Sequence, residues 1–529
     1  MCGIIGVTGV GNASNLIYEG LKLLQHRGQE SVGILTYDGH DYKKILKDGL
    51  VHEAISPTEL NSLNGSTGLG HVRYSTSGRK KDNGFCDVEH PKQPILGIDF
   101  ALVHNGTIVN YGYMVNVLER RRIGISPGED SDTQLVAKII GSSEEADIEK
   151  RIKKSLETIK PTYSMLIQHE NALFLCRDRT GNRPLYIGNI GGGYIAASEG
   201  SVLNSLGATN ISEVGEGQLI RIENNDAYTE QIFTPDLKKC VIELIYLSSA
   251  GKSEHERPEL FGRDIRTIRI KSGIKLASEQ PANADLVVGV MDSGNWASIG
   301  YSQKSGIPRS RTGLKRHPHY KKRTFIEPSE EERIEGVYLK FIAESNELSG
   351  KRLVAVDDTI IRLTTSSGLV QKLRLAGASE LHMRIASPPV IWPCFYGVDF
   401  PLRNELIAAM LSVPEIQQYL TLRFFGMDDN RDKLIEIVRG NQLSKTDMGD
   451  IVQRSTEDNN YVKRAFLQRN KHIVIDPDDI NPKRFSLAYL SLEGLVDAFD
   501  IDSSEYCLAC FTGKYEIEKE LIKQKLAAK

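Results

Sequence analysis

The sequence begins Met1-Cys2-Gly3, and Cys2 is the first residue whose side chain could act as a nucleophile. A small second residue allows removal of the initiator methionine, after which Cys2 would carry both a thiol and a free α-amino group. An α-amino group has a pKa of about 8 in peptides, so a fraction is neutral at pH 7 and can accept the thiol proton. Nucleophile and base would then lie on one residue. An incidental buried thiol in a first strand is the alternative interpretation.

Four polar blocks downstream of Cys2 each suit one task in the hydrolysis of an amide. They are Gln25-His26-Arg27-Gly28-Gln29-Glu30-Ser31, Gly70-His71-Val72-Arg73-Tyr74-Ser75-Thr76, His104-Asn105-Gly106-Thr107 and Ser131-Asp132-Thr133. An arginine can bind a substrate carboxylate through two hydrogen bonds, and a carboxylate such as Asp132 can hold a substrate α-ammonium group. An asparagine amide beside a glycine N–H makes an oxyanion hole, because glycine lets the backbone approach closely. Each block alone is typical of a structural role, but together they predict a glutamine site.

The order and content of these blocks resemble the class II glutaminase domain of the N-terminal-nucleophile hydrolases. The resemblance continues through Arg177-Asp178-Arg179-Thr180-Gly181-Asn182-Arg183-Pro184-Leu185 and Ala197-Ser198-Glu199, and it covers residues 1–235. It implies that Cys2 is the nucleophile and that Asn105 and Gly106 form the oxyanion hole. It also implies that Arg73 and Asp132 bind glutamine. The implied fold is a four-layer α/β/β/α sandwich.

A second block places two carboxylates ahead of a run of hydroxyl groups. The apolar residues 353–356 lead into Asp357-Asp358, and Thr364-Thr365-Ser366 then opens a helix-like stretch. Hydroxyl and backbone N–H groups at a helix N-terminus form a phosphate cradle, and two adjacent carboxylates can hold ribose hydroxyls or Mg²⁺. Asp292-Ser293-Gly294 ends a neighbouring strand candidate, where it could contact a pyrophosphate group. A helix cap after an aspartate-rich turn is the alternative interpretation.

This block resembles the motif with which type I phosphoribosyltransferases bind phosphoribosyl pyrophosphate (PRPP). Further matches lie in Arg384-Ile385-Ala386-Ser387-Pro388-Pro389, in Trp392-Pro393-Cys394-Phe395-Tyr396-Gly397-Val398-Asp399, in residues 487–495 and in Cys507-Leu508-Ala509-Cys510-Phe511-Thr512-Gly513-Lys514. Apart from residues 422–484, the chain is similar to the glutamine PRPP amidotransferase family. The implied fold of the second half is a doubly wound parallel sheet of the phosphoribosyltransferase type.

Members of that family release ammonia from glutamine and use it to displace pyrophosphate from PRPP. The product, 5-phosphoribosylamine, is the first intermediate of de novo purine synthesis. The resemblance implies that PRPP is bound by Asp292, Ser293, Gly294, Asp357, Asp358, Thr364, Thr365 and Ser366, and that Ser293, Asp357 and Asp358 hold Mg²⁺. It also implies purine nucleotides as inhibitors and a homo-oligomer, in this family usually a tetramer.

Three positions in the second half depart from the family pattern. Leu363 stands where the family has glycine, His317-Pro318-His319-Tyr320 stands where it has Lys-Asn-Arg-Tyr, and Asn295-Trp296 replaces Arg-Pro. Lys315, Arg316, Lys321 or Lys322 could supply the cations that are missing from the second of these motifs. A paralogue with an active glutaminase and an impaired transferase, acting as a regulatory or ammonia-supplying subunit, is therefore an alternative. An acceptor such as a sugar phosphate is a third hypothesis, against which the Asp-Asp and Thr-Thr-Ser block argues.

The chain contains seven cysteines, an odd and sparse set that argues against a disulfide framework. Cys507 and Cys510 form a C-x-x-C pair, which suits a zinc half-site or a redox pair. Cys240 and Cys394 are distant in sequence, but all four positions match the subset of the family that ligates a [4Fe–4S] cluster. The resemblance therefore implies that cluster, with structural zinc as the rival. The two remaining cysteines besides Cys2, which are Cys86 and Cys176, are predicted to be inert.

The elements that must position these residues fall into four stretches. Residues 1–235 have short apolar runs separated by turn residues, with helical patterns near 15–24 and 131–140, which predicts a sheet-rich domain. Residues 236–421 alternate strand, loop and helix, which predicts a parallel doubly wound sheet, with a helical stretch at 401–421. Residues 422–484 are predicted to be a charged insertion, and residues 485–529 a C-terminal helical segment that carries the C-x-x-C pair.

Length and charge exclude several classes of protein. A chain of 529 residues is expected to form two or more domains. The formal net charge of −3 gives no electrostatic attraction to nucleic acid or to anionic membranes. No apolar run approaches the roughly 20 residues needed to span a bilayer, and the N-terminus does not have the pattern of a signal peptide. The expected partners are therefore small molecules, and the expected location is the cytoplasm.

Overall fold

The computed structural model describes residues 2–74, 91–126, 131–251, 259–318, 339–398, 400, 403, 405–426, 431–440 and 481–515. The strands of the first half are β1 (Gly3–Thr8), β2 (Ser31–Tyr37), β3 (Tyr42–Asp48), β4 (Thr67–Arg73), β5 (Ile95–Leu96), β6 (Ala101–Gly106), β7 (Tyr163–His169), β8 (Ala172–Arg177), β9 (Tyr186–Ile190), β10 (Gly193–Ala197), β11 (Thr209–Glu213), β12 (Gln218–Glu223) and β13 (Asp226–Gln231). Its helices are α1 (Ala13–Leu23), α2 (Val51–Ala54), α3 (Pro57–Asn61), α4 (Tyr111–Arg120), α5 (Asp132–Gly141), α6 (Ile148–Thr158) and α7 (Gly200–Ser205), with a 3₁₀ turn at Leu24–His26.

Two antiparallel sheets stack face to face in the first half. Within the described residues one sheet has the strand order β11-β9-β10-β1-β4-β2-β3 and the other has the order β13-β12-β8-β7-β6-β5. Apolar side chains that include Ile4, Leu69, Val103 and Leu166 fill the space between them. Helix α1 packs on the outer face of the first sheet, and the apolar sides of α4, α5 and α6 pack on the outer face of the second. The predicted α/β/β/α sandwich is therefore confirmed.

The helices follow from local sequence signals. Helix α1 buries Ala13, Ile17 and Leu21, which recur every four residues and so share one face. Helix α5 begins after Ser131, whose side chain accepts a hydrogen bond from the Gln134 N–H while the Gln134 side chain returns to Ser131. This reciprocal capping satisfies backbone groups at the helix start, and it fixes Asp132 as the first helical residue.

The elements of the second half are given in chain order. Its strands are β14 (Lys239–Cys240), β15 (Glu259–Leu260), β16 (Arg263–Asp264), β17 (Leu286–Gly289), β18 (Leu314–Arg316), β19 (Phe341–Ala343), β20 (Arg352–Asp357), β21 (Glu380–Ile385), β22 (Phe485–Tyr489) and β23 (Tyr506–Cys507). Its helices are α8 (Ile265–Glu279), α9 (Gly294–Ser305), α10 (Ser345–Leu348), α11 (Thr364–Leu375), α12 (Ile407–Met410), α13 (Val413–Phe424), α14 (Arg431–Gly440), α15 (Leu492–Phe499) and α16 (Ala509–Thr512), with a π-helical turn at Glu243–Leu247 and a 3₁₀ turn at Pro482–Arg484.

A parallel sheet with the order β17-β20-β21-β22 forms the core of this half. Strand β20 buries alternate residues on opposite faces: Val354 and Val356 join the apolar cluster that contains α8 and α9, while Leu353 and Ala355 join the cluster that contains α11. Residues 308–310 pair with Val287 on the other side of β17. After β17 the chain continues to residues 308–310 at one edge of the sheet, and after β20 it continues to β21 on the opposite side. The gap between β17 and β20 is therefore a topological switch point.

The prediction of a helical segment from residue 485 onward is wrong at its start. Phe485–Tyr489 is a strand that pairs in parallel with β21, and its buried residues alternate as Phe485, Leu487 and Tyr489. A period of two is the signature of a strand. The segment after the charged stretch therefore completes the parallel sheet and becomes helical only at α15.

Two other predicted stretches differ in detail. The helical stretch predicted at 401–421 is divided into α12 and α13, because Ser412 caps a new helix through Glu415. The stretch predicted as a charged insertion contains the end of α13 and the whole of α14, whose Leu434, Ile435 and Val438 are buried in the core. Residues 441–480 of that stretch lie outside the described residues. Among the helices that the structure describes, none is long and apolar enough to cross a membrane.

Candidate active sites

Cys2 lies where the two sheets of the first half meet. It precedes β1, and because Gly3 pairs with Val72 of β4, Arg73 at the end of β4 lies beside Cys2. The Cys2 backbone nitrogen donates a hydrogen bond of 3.3 Å to Oδ1 of Asn105, which belongs to β6 of the second sheet. Residues separated by about a hundred positions in the sequence are thus brought to one point.

Asn105 and Gly106 offer two donors beside Cys2. Asn105 is fully buried, and within the described residues its side-chain Nδ2 has no hydrogen-bond partner. Gly106 has a φ of 151°, and a Cβ atom there would lie 2.2 Å from the carbonyl oxygen of Thr162. Only glycine fits this position, because a side chain would have to displace backbone. A free amide donor next to such a glycine is the geometry of an oxyanion hole.

Arg73 and Asp132 line the same region. Arg73 donates a hydrogen bond of 3.0 Å to the carbonyl of Pro91, and its Nε lies 3.5 Å from a carboxylate oxygen of Glu30. One carboxylate oxygen of Asp132 accepts from the N–H of Ile108, two residues beyond Gly106. Both side chains therefore lie close to the Cys2 and Asn105 pair. Ser75 and Thr76 of the same predicted block lie outside the described residues.

A buried ionic group touches Cys2 from the other side. Arg27 Nε donates a hydrogen bond of 3.1 Å to the Cys2 carbonyl, and the remaining guanidinium nitrogens pair with Glu199 and Glu243. Burial alone raises the pKa of Glu243, but the guanidinium groups of Arg27 and Arg183 outweigh it and hold the pKa below its usual value. No motif in the sequence assigns a role to Glu243, although a single carboxylate within the apolar residues 241–247 is an unusual signal.

The predicted PRPP residues meet at the switch point between β17 and β20. Asp292, Ser293 and Gly294 follow β17, and the Ser293 hydroxyl donates to a carboxylate oxygen of Asp358 at the end of β20. A Cβ atom on Gly294 would lie 2.5 Å from the Val356 carbonyl oxygen, so glycine allows the two strand ends to approach. The predicted hydroxyl residues, which are Thr364, Thr365 and Ser366, form the first turn of α11.

The two adjacent carboxylates suit a cation. Burial and the neighbouring Asp358 raise the pKa of Asp357 well above its usual range. Within the described residues, no group of three or more His, Cys, Asp or Glu side chains is arranged so that it could hold a metal ion. Mg²⁺ usually takes one or two carboxylates and completes its shell with water and substrate phosphates. A pair of carboxylates at this position fits that pattern.

The structure describes two of the three positions that were predicted to depart from the family pattern, and it accommodates the side chains present there. Leu363 has a φ of 69°, so it adopts the left-handed conformation that favours glycine, and its side chain is 2% exposed within the apolar core. The side chain therefore does not fill the space in front of α11. Asn295 accepts a hydrogen bond from Arg309, and Arg266 stacks on the ring of Trp296 at 4.7 Å.

The third of these positions is the motif His317-Pro318-His319-Tyr320, of which the structure describes His317 and Pro318. Residues 319–338, which include Lys321 and Lys322, lie outside the described residues. Of the other candidate cations, Lys315 lies 3.2 Å from Glu344, whereas Arg316 Nη1 lies 2.5 Å from a carboxylate oxygen of Asp292. Arg316 is thus the one of these two cations that reaches the predicted pyrophosphate contact.

The four cysteines predicted to hold a cluster line one cavity together with apolar and aromatic side chains. Cys240 and Cys507 face each other as paired residues of the parallel strands β14 and β23. The Cys510 carbonyl accepts hydrogen bonds from the N–H groups of Ile391 and Trp392, which draws the loop bearing Cys394 to the same cavity. None of the described cysteines forms a disulfide. Cys86 lies outside the described residues.

Soft thiol ligands in a buried apolar cavity suit an iron–sulfur cluster. Burial raises the pKa of Cys240, and it raises that of Cys510 well above the usual value. The buried guanidinium of Arg183 lies close enough to Cys240 to oppose part of the effect of burial on the pKa of that thiol. Thiolates bound to iron would therefore have a positive charge beside them.

Comparisons with known proteins cover 98% of the chain. A sequence model of the glutamine amidotransferase domain matches residues 80–205. The amidophosphoribosyltransferase of Mycobacterium tuberculosis (strain ATCC 25618 / H37Rv) is 34% identical over 524 residues, which cover 98% of this chain and 86% of that protein. That of Bacillus subtilis (strain 168) is 34% identical over 528 residues, which cover 98% and 94%.

Solved structures agree with these sequence matches. The structure of glutamine PRPP amidotransferase from B. subtilis complexed with ADP and GMP superposes with a TM-score of 0.73 at 32% identity, and the match covers 98% of each chain. The match includes the sandwich of the first half and the parallel sheet of the second. The chain therefore belongs to the amidophosphoribosyltransferase family.

Proposed function

We propose that this chain hydrolyses glutamine at Cys2 and passes the ammonia to PRPP, which forms 5-phosphoribosylamine and pyrophosphate. The product is the first intermediate of de novo purine synthesis. The observation that carries this proposal is the presence of both sites on one chain whose relatives match it over both halves. That full-length match does not favour the alternative of a paralogue with an impaired transferase.

The glutaminase step follows from the groups around Cys2. After removal of Met1, the α-amino group would accept the thiol proton, and the sulfur would attack the side-chain carbonyl carbon of glutamine. The charge that develops on the carbonyl oxygen would meet the buried Nδ2 of Asn105 and the N–H of Gly106. The α-ammonium group would then return its proton to the departing nitrogen, and water would release glutamate from the thioester.

Substrate orientation in this step is assigned to Arg73 and Asp132. The guanidinium of Arg73 would bind the α-carboxylate of glutamine, and the carboxylate of Asp132 would bind its α-ammonium group. Asp132 is the first residue of α5, and its carboxylate is held by the N–H groups of Ile108 and Thr133. This orientation would direct the side-chain amide of glutamine toward Cys2.

The transferase step is assigned to the switch point. The first turn of α11 would bind the 5-phosphate of PRPP, Asp357 and Asp358 would bind the ribose hydroxyls, and residues 292–294 would contact the pyrophosphate. Ammonia would attack C1 of the ribose, and the C1–O bond to pyrophosphate would break. Mg²⁺ held by Ser293, Asp357 and Asp358 would supply positive charge to the leaving pyrophosphate.

One assay tests this function directly. PRPP, Mg²⁺ and ammonia are supplied to the purified protein, and pyrophosphate release is measured. The expected result is release with ammonia alone and with glutamine, and loss of only the glutamine-dependent rate in Cys2→Ala. Continued hydrolysis of glutamine without any pyrophosphate release would instead support an impaired transferase. Glutamine hydrolysis by Cys2→Ala would refute the assignment of the nucleophile.

We also propose a [4Fe–4S] cluster bound by Cys240, Cys394, Cys507 and Cys510. The support for a cluster is that all four thiols line one cavity among apolar and aromatic side chains, and a structural zinc ion bound by the same thiolates is the rival. A cluster binds each thiolate through a different iron atom, so its ligands are more widely spaced. Protein purified without oxygen should contain iron and acid-labile sulfide in equal amounts, whereas zinc without sulfide would contradict the proposal.

Regulation and assembly complete the proposal. Because the related B. subtilis structure is described as a complex with ADP and GMP, purine nucleotides are expected to inhibit this chain. A homotetramer and a cytoplasmic location are proposed on the same family relationship. Titration of the assay with ADP and GMP tests the expected inhibition. Light scattering of the purified protein tests the expected homotetramer.

A further inference from the structure

A network of buried charges joins the two halves of the chain. It consists of Arg27, Glu199, Glu243 and Arg183, none of which is more than 4% exposed. Arg27 lies 2.7 Å from Glu199 and 2.8 Å from Glu243, and Arg183 lies 3.4 Å from the same Glu243 oxygen. The two positive and two negative charges balance. Glu243 belongs to the second half of the chain, whereas the other three residues belong to the first.

Stability does not explain such a network. Removing charged groups from water costs several kcal/mol for each ion, and replacing a buried ion pair with apolar residues is often neutral or stabilising. In some proteins, buried polar or ionic groups instead specify one arrangement of the elements that they join. The network is therefore better explained by where it places each guanidinium nitrogen.

Each of the three guanidinium nitrogens of Arg27 has a hydrogen-bond partner, which fixes the orientation of the side chain. Its Nη1 pairs with Glu199, its Nη2 pairs with Glu243, and its Nε donates a hydrogen bond of 3.1 Å to the Cys2 carbonyl. On the other side of that residue, the Cys2 nitrogen donates to Asn105. The backbone of Cys2 is thus held at both ends, and one of these contacts is made by the arginine that pairs with Glu243.

The second half holds Glu243 rigidly. The Ser248 hydroxyl donates a hydrogen bond of 2.8 Å to the Glu243 carboxylate. The buried side chain of Arg269 donates hydrogen bonds of 2.8 Å to the carbonyls of Leu244 and Ser248, which fixes the π-helical turn around Glu243. Arg183 donates 2.6 Å to the carbonyl of Tyr396, two residues after Cys394. The network therefore extends from Cys2 to the loop that carries one of the cavity cysteines.

We propose that Glu243 is a positioning residue for the nucleophile, through which the second half of the chain orients Cys2 by way of Arg27. This inference rests on the proposed role of Cys2. A neutral amide at position 243 could still accept one hydrogen bond from Arg27, but it would leave the guanidinium charge incompletely balanced and free to turn. The Cys2 carbonyl would then lose its donor, and the thiol would lose its alignment with Asn105 and the substrate.

The experiment compares Glu243→Gln with Glu213→Gln. Glu213 pairs with another buried arginine of the first half, Arg177, at 2.9 Å, and that pair does not reach Cys2. For Glu243→Gln we expect the glutaminase kcat to fall about 10- to 100-fold, which is the range for a small misplacement of a reacting group. The KM for glutamine should remain within about threefold. Glu213→Gln should keep the wild-type values.

Two further measurements separate positioning from general damage. The rate at which iodoacetamide alkylates Cys2, followed by mass spectrometry of the N-terminal peptide, should fall in Glu243→Gln and not in Glu213→Gln. The ammonia-dependent rate should stay within about twofold in both, because the PRPP site is untouched. Intact mass establishes that Met1 has been removed from each protein. Wild-type glutaminase and alkylation rates in folded Glu243→Gln would overturn the inference.

A conservative variant covers the case in which Glu243→Gln does not fold. Glu243→Asp keeps the negative charge, but its side chain is shorter by one methylene group, so the carboxylate lies farther from Arg27. The glutaminase kcat should therefore fall less than it would on loss of the charge, and KM should be unchanged. An unchanged kcat and alkylation rate in Glu243→Asp would count against the inference. If Cys2→Ala still hydrolyses glutamine, the proposed function itself fails. If Cys2→Ala is inactive and the position 243 variants are normal, only the role of Glu243 fails.

Discussion

The Cys2 backbone nitrogen donates a hydrogen bond of 3.3 Å to Oδ1 of Asn105, while Nδ2 of the same amide, fully buried, has no partner among the described residues. In the proposed reaction, one end of the Asn105 amide would orient the nucleophile and the other would face the developing charge. Because the Oδ1 contact fixes which way the amide points, Nδ2 would need no reorganisation during the proposed reaction.

Asn105→Ala removes this donor, and we expect the glutaminase kcat to fall about 100- to 1,000-fold, which is the usual cost of losing one oxyanion donor. Ammonia-dependent formation of pyrophosphate should be unchanged, because it does not use this site. Steady-state kinetics with glutamine and with ammonia provide the measurement. A parallel loss of both activities would mean that the substitution damages the fold instead.

Gly106→Ala places a Cβ atom 2.2 Å from the Thr162 carbonyl oxygen, at a φ of 151°. We expect loss of glutaminase activity and a lower thermal unfolding midpoint, because backbone must move. Gly112→Ala is the matched control: a Cβ atom there meets nothing within 4 Å, and alanine in α4 should be neutral or stabilising by up to about 1 kcal/mol. Equal behaviour of the two variants would contradict the steric argument.

Arg316→Gln tests the cation that lies 2.5 Å from Asp292. Hydrogen bonds to charged groups contribute about 1.5–3 kcal/mol, so we expect kcat/KM for PRPP to fall about 10- to 100-fold while glutamine hydrolysis persists. Lys315→Gln removes the same charge from the adjacent residue of β18, whose partner is Glu344, and should have little effect. Isothermal titration with inorganic pyrophosphate measures the same interaction without the reaction. Equal pyrophosphate affinity of both variants would exclude Arg316 from the site.

Leu363 combines a left-handed backbone with a side chain that is 2% exposed. Truncation of a buried leucine costs about 2–5 kcal/mol, and glycine recovers about 1 kcal/mol of backbone strain that alanine keeps. We therefore expect thermal midpoints in the order wild type, Leu363→Gly, Leu363→Ala. A Leu363→Gly protein more stable than wild type would show that the side chain contributes no packing.

His71 is buried between the sheets, and its two ring nitrogens have no partners within the described residues. Burial and the nearby Arg73 lower its pKa well below the usual 6.5. The unfolded chain therefore binds the proton first as pH falls, and stability should be lost progressively as the pH falls below about 6.5. Denaturant unfolding gives the free energy of unfolding at pH 7.5 and at pH 5.5. The decrease between these two pH values should be smaller for His71→Leu than for wild type. Identical losses would assign the pH dependence to other groups.

Local sequence patterns predicted much of the fold. The short apolar runs of the first half, the helical pattern near 131–140 and the apolar residues 353–356 all coincide with observed elements, because each depends on neighbours within a few residues. The strand at 485–489 was predicted to be helical, because a buried strand of five residues gives a weak periodic signal. Its pairing with β21, a hundred residues earlier in the sequence, decides its conformation.

The sequence by itself determined which chemistry the chain can perform, since a terminal thiol, a carboxylate pair beside hydroxyls and four thiols restrict the possible reactions. Only the tertiary structure decided how these groups cooperate. The charge network from Cys2 to Glu243 crosses 241 positions of the chain, and the cavity joins Cys240 to Cys507 through paired strands. Contacts of that kind depend on how whole sheets pack, and no pattern in neighbouring residues specifies them.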